Sequence, residues 1–159
     1  MSVAVGNAAK ANSTSGGNSA VGVAIGSNAK STNTAAIAIG SEASASGSNS
    51  IAMGQQSEAS GLYSISLGMI SKATGSDSIA IGVRSDDRGA RGNQSIAIGY
   101  LAGAISDYGT ALGASAEANE YSTALGTSTT ASSTYSTAIG NNANASNTDA
   151  VAIGSRGVT

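Results

Sequence analysis

The sequence predicts an all-β solenoid, and three observations carry that expectation. An apolar-Ala-apolar-Gly tetrapeptide recurs along the whole chain, its glycines fall at a nearly constant spacing, and proline is absent from all 159 residues. Proline cannot donate to a strand ladder, so its exclusion fits a chain that is strand and tight turn throughout. Recurrence at a short period is the signature of a stacked repeat.

The tetrapeptide opens as Val3-Ala4-Val5-Gly6 and continues as Val23-Ala24-Ile25-Gly26 and Ile37-Ala38-Ile39-Gly40. It becomes Thr110-Ala111-Leu112-Gly113, with Thr123 and Thr137 in the first place of the next two copies, and last reads Val151-Ala152-Ile153-Gly154. Successive glycines lie 20, 14, 14, 14, 14, 17, 14, 13, 14 and 14 residues apart, so the chain divides into about eleven 14-residue coils. Fourteen residues are too few for a strand and a helix, but they suffice for two short strands and two turns. The first strand is the tetrapeptide itself. Side chains alternate along a strand, so the two large apolar residues share one face and the central Ala takes the other. Spacing alone leaves open which face, Val/Ile or Ala/Gly, meets a partner; the preferred reading has Val and Ile inside the coil and the Ala/Gly face at a subunit interface.

The second strand follows each Gly by three to five residues, as in Ala43-Ser44-Ala45, Ser57-Glu58-Ala59 and Ser71-Lys72-Ala73. Its middle position carries Lys10, Lys30, Glu58, Lys72, Asp86 and Glu117. Isolated charges are not buried unpaired, so this row is a solvent ridge and its small neighbours point inward. Parallel stacking at about 4.8 Å per coil gives a rod roughly 50 Å long.

Composition agrees. Hydrophobic residues make up 40% of the chain but are mostly Ala, and aromatics only 3%, which leaves little for a conventional globular core. With charged residues at 10% and a net charge of −2, the chain lacks the clustered cations that nucleic-acid binding requires. No cysteine is present, so neither a disulfide framework nor a thiolate site exists. Residues 1–10 lack the apolar run of a signal peptide, and no stretch approaches the ~18 apolar residues of a membrane helix. Export and anchor segments are therefore expected outside these residues, with no direct membrane insertion by this segment.

The runs Asn49-Ser50-Ile51-Ala52-Met53-Gly54, Asp77-Ser78-Ile79-Ala80-Ile81-Gly82 and Gln94-Ser95-Ile96-Ala97-Ile98-Gly99 resemble the repeat of YadA-like heads of trimeric autotransporter adhesins. The small residue that family places three after the Gly is matched by Ala43, Ser57, Ser71, Ser85, Ala102 and Ala143. The resemblance implies a left-handed parallel β-roll in a homotrimer, carried at the tip of a fibre on the bacterial outer membrane. It implies an adhesin head that binds host extracellular-matrix proteins such as collagen or fibronectin, cells or abiotic surfaces. Residues 1–159 are then a single head domain, a fragment of a longer surface fibre. Thr110, Thr123 and Thr137 depart from the family's large apolar residue, and no heptad stalk follows the last coil.

Two features are candidate ligand-binding sites. The 17-residue interval gathers Arg84, Arg88 and Arg91 with Asp86 and Asp87, and its three extra residues are expected to bulge outward. Asp86-Asp87 has no third oxygen ligand at metal-binding spacing, so no metal or other cofactor is expected. The bulge reads more readily as a self-neutralising turn or as intersubunit ion pairs that fix a trimer. Tyr63, Tyr108, Tyr121 and Tyr135 each precede their Gly by five residues. The last three occupy consecutive coils, which predicts a ladder that is either adhesive or packed over the coil edge.

The chain has no histidine, so its many serines and threonines lack the base a nucleophile needs, and an enzyme is not expected. The 14-residue period also excludes a hexapeptide-repeat acyltransferase, and the Gly-Gly-x-Gly-x-Asp pattern of calcium-binding rolls is missing. An ice-binding reading rests only on Thr127, Thr129 and Thr130. The remaining alternative is a non-binding structural spacer within a surface fibre.

Overall fold

The computed structural model describes residues 2–11, 21–82 and 88–155. Among them every regular element is a strand of two or three residues. The tetrapeptide strands form one eleven-stranded parallel sheet in chain order, and the shorter strands form a ten-stranded parallel sheet opposite it. Pairing is strictly in register: Ile81 lies between Leu67 and Ile98, and Ala80 between Ser66 and Ala97. The chain is an all-β parallel solenoid, as its repeat predicts.

The orientation of the long strands is the reverse of the sequence expectation. The central residue of the tetrapeptide is the buried one: Ala24, Ala38, Ala52, Ala80, Ala97, Ala111, Ala124 and Ala138 are fully enclosed. Val and Ile face out of the coil, half-buried or exposed, with Met53, Leu112 and Leu125 about two-fifths exposed and Ile153 at 71%. The physical reason is the width of the coil. Two strands of three and two residues, joined by tight turns, enclose room for methyl and hydroxymethyl groups only. The core is therefore built from Ala and Ser, with Thr129 its largest fully buried residue. The second strand behaves as expected, with Ala43, Ala45, Ser57, Ala59, Ser71 and Ala73 inside. Lys72 and Glu58 stand on the outer ridge, 3.7 Å apart.

The serine before many tetrapeptides secures the turn. Ser50, Ser64, Ser78, Ser95, Ser122 and Ser136 are buried, and each hydroxyl donates to the carbonyl three residues earlier, at 2.6–2.8 Å. A buried hydroxyl needs such a partner. The glycine that ends the tetrapeptide is required by the stacking itself. Gly40 has φ +133°, and a Cβ on it would stand 2.5 Å from the Gly54 carbonyl oxygen in the next coil. Each coil whose residues are all described also places two non-glycine residues in the left-handed region, near φ +55°, one after that glycine and one before the next tetrapeptide.

In the 17-residue interval the ridge position belongs to Gly89, which pairs alongside Gly103 and follows Arg88. Asp86, expected on the ridge, lies outside the described residues with Val83, Arg84, Ser85 and Asp87. Re-entry at Gly89 shows that the coil resumes its register after the three additional residues.

Candidate binding surface

Three outward features follow from this frame. The first is the apolar face of the eleven-stranded sheet. Alternation turns both flanking residues of every tetrapeptide outward, so parallel stacking joins them into two rows that run the length of the rod. One row includes Ile39, Met53, Leu67, Ile81, Ile98, Leu112 and Leu125, in register. The other passes through Ile79 and Ile96 to Thr110, Thr123 and Thr137. A continuous apolar surface on this scale marks an interaction face.

The second feature is the region of the arginines. Arg88 does not project freely. Its guanidinium lies 3.1 Å from the Glu117 carboxylate, two coils along, and Nη1 donates to the Leu101 carbonyl at 3.4 Å. Its stem crosses Gly103, with carbons 3.6–3.8 Å from where a Cβ would stand. Those are ordinary van der Waals distances, so the stem packs over Gly103 as Arg88 spans the intervening coil. Arg91 is exposed, and Arg84 lies outside the described residues.

The third feature is the tyrosine ladder. Tyr108 and Tyr121 stack with ring centroids 4.6 Å apart and planes 11° from parallel, and Tyr121 and Tyr135 follow at 5.1 Å and 26°. All three are more than two-fifths exposed. Tyr63 holds the equivalent place in an earlier coil, between Asn49 and Asp77, and has no ring partner there. The tyrosines occupy the left-handed turn position, at φ +52° to +60°. That conformation suits Asn, Asp or Gly and costs a bulky residue about 1–2 kcal/mol. Two stacking contacts, each worth about 0.5–1.5 kcal/mol, offset the cost at the centre of the ladder. Partial desolvation within the stack raises the Tyr121 phenol above its ordinary 10.0, and Tyr108, Tyr135, Glu120 and Asp107 add to the effect.

Beside the ladder is a cleft that sequence reasoning missed. Its signal was the single 13-residue interval. The lost residue falls between Ala118 and Tyr121, where the coils on either side have one more residue between Ala104 and Tyr108 and between Ala131 and Tyr135. Asn119 covers both places: its N–H donates to Ala131 as a first turn residue does, and its carbonyl accepts the Ser122 hydroxyl as a second one does. The gap left on the outside is a cleft of about 340 Å³ lined by Ser106, Asn119, Glu120, Ser132, Ser133, Thr134 and Thr148.

The YadA head domain repeat model matches residues 22–43, 45–69, 70–85, 90–116, 118–143 and 131–156, which is most of the chain. The chain belongs to the YadA head domain repeat family. No curated protein matches the chain. YadA heads are surface-exposed segments of trimeric autotransporters, so the family points to an adhesin-type role at the cell surface. The exposed Ile/Leu rows and the Ala/Ser core are thus properties of a YadA head, and its repeat describes the coil more directly than any single residue does.

Proposed function

We propose that this chain is the adhesive head of a surface fibre, assembled as a homotrimer of left-handed rolls and binding host extracellular-matrix proteins such as collagen or fibronectin, cells or abiotic surfaces. Residues 1–159 act as one head domain, held on the outer membrane through segments of the fibre beyond it, and carry out no catalysis. The observation that carries this reading is the pair of apolar rows along the eleven-stranded sheet. A soluble rod does not leave such a face open, and self-association through it buries Ile and Leu that the narrow coil cannot take in. With that face covered, the turn edges and the ridge remain for ligand.

The arginines Arg84, Arg88 and Arg91 and the ladder of Tyr108, Tyr121 and Tyr135 are the candidate contacts. The test is adhesion to immobilised collagen, fibronectin, laminin and bare plastic across a salt series. Arg84/Arg88/Arg91→Ser and Tyr108/Tyr121/Tyr135→Ser variants run beside the parent. Loss of binding in either folded variant assigns the contact. Absence of adhesion to every surface supports a spacer instead.

A further inference from the structure

The ridge charges Lys72 and Glu58 pair with one another, as do Arg88 and Glu117; the shortened coil is different. Four observations converge there. A polar cleft lies at the shortened coil, with Ser106 and Ser133 of the neighbouring coils in its lining. Two of its lining residues, Glu120 and Thr134, directly precede Tyr121 and Tyr135 of the stacked ladder, whose backbone conformation tyrosine does not favour. Glu120, on the cleft wall, is exposed, and among the described residues its carboxylate accepts no hydrogen bond and joins no ion pair. Finally, residues 92–155 contain the acids Asp107, Glu117, Glu120 and Asp149 and neither Lys nor Arg.

These acids are not equivalent. Glu117 is neutralised by Arg88. Asp107 is held by Asn93, whose N–H and Nδ2 donate to it at 2.7 and 3.3 Å. Glu120 holds the same turn position as Asp107 one coil on, where in-register like charges repel. Asp149 is exposed but does not line the cleft, so Glu120 is the carboxylate that a cation entering the cleft would meet. The rest of the lining offers hydroxyls and the Asn119 amide, all able to accept. The ring faces of the ladder are largely occupied by one another, which disfavours a sugar laid flat on an aromatic platform. Ring edges remain, and they suit an aliphatic stem.

We propose that the shortened coil is a receptor for a basic peptide segment, whose arginine or lysine head enters the cleft at Glu120 while its stem lies along the edges of Tyr108, Tyr121 and Tyr135. This deepens the adhesive reading by giving the chemistry of one contact on a protein ligand. An uncharged residue restored after Asn119 would close the cleft without touching the ladder.

The experiment measures binding of the full chain to a short arginine-containing glycine–serine peptide and to its citrulline twin, which keeps the shape and loses the charge. The arginine peptide should bind and weaken as salt rises. The citrulline twin and the Glu120→Gln variant should each bind about tenfold more weakly or worse, a difference of ~1.4 kcal/mol. A serine inserted after Asn119 should do the same, while Glu42→Gln, an exposed acid elsewhere, should leave binding unchanged. Equal binding of the two peptides overturns the proposal, as does equal binding by Glu120→Gln or an equal loss in Glu42→Gln. No binding of the arginine peptide, or capture of neutral oligosaccharides instead, overturns it too. Adhesion to matrix protein that persists in Glu120→Gln sinks this inference and leaves the adhesive reading standing. Peptide binding without adhesion to any matrix protein does the opposite.

Discussion

At the scale of single residues the coil admits almost no variation inside. Ser66 replaces the central Ala of its tetrapeptide, and its buried hydroxyl finds no hydrogen-bond partner among the described residues. Such a group costs about 1–3 kcal/mol, so Ser66→Ala should stabilise the protein by about 1 kcal/mol in a denaturant titration. The left-handed turn makes a second contrast. Tyr63→Asn relieves strain and forfeits no ring contact, so it should raise stability by up to about 1 kcal/mol. Tyr121→Asn loses two stacking contacts as well and should be neutral or destabilising. Because the folded chain raises the Tyr121 phenol, it favours the protonated form. That stability is present below pH ~10, the ordinary phenol value, and is lost as pH climbs through the raised one. Phenolate absorbance should show a late-ionising group that disappears in Tyr121→Phe.

At the scale of one coil, length decides what the surface can do. Most intervals keep 14 residues, two are longer, at 20 and 17, and one is shorter, at 13. The Arg88–Glu117 pair crosses the coil between them, but both side chains are about one-third exposed. Glu117→Ala should therefore cost only about 0.2–1 kcal/mol, and less in high salt, by the same titration. The period, the two strands per coil and the position of each Tyr were legible in the sequence because they are matters of spacing. The inward face was not. Alternation assigns Ile81 and Ala80 to opposite sides but does not say which side is the interior. Coil width decides that, and the width follows from turns whose left-handed residues, such as Ile70 and Leu101, carry no compositional mark. The cleft was hidden for a related reason: a 13-residue interval is visible, but not which turn lost the residue.

At the scale of the molecule the exposed Ile and Leu rows are the face proposed for assembly. Ile81→Asp places a carboxylate on the outer apolar face, in line with Leu67 and Ile98. Light scattering should find the parent at about three times the 15.1 kDa chain mass, by its family's assembly. The variant should shift toward monomer while circular dichroism still shows strand. Lys72→Ala, on the ridge, should change stability by no more than about 0.5 kcal/mol and leave the assembly intact. Equal dissociation of the two variants would show that the interface lies elsewhere.

The hydrogen bonds between coils, such as Ile51 N–H to the Ser64 carbonyl at 2.9 Å, join neighbouring strands and therefore run along the rod. A pull on the two ends of the chain loads them one coil at a time, like a zipper, instead of shearing a whole sheet at once. Each released coil of 14 residues extends to roughly 45 Å, from about 3.3 Å per residue, in place of the ~4.8 Å it occupied when stacked. A single roll under tension would thus lengthen in steps at modest force. In the proposed trimer, three rolls sealed along their apolar rows would have to separate that seam before any coil could peel, so the face proposed to assemble the head would also make it mechanically tough.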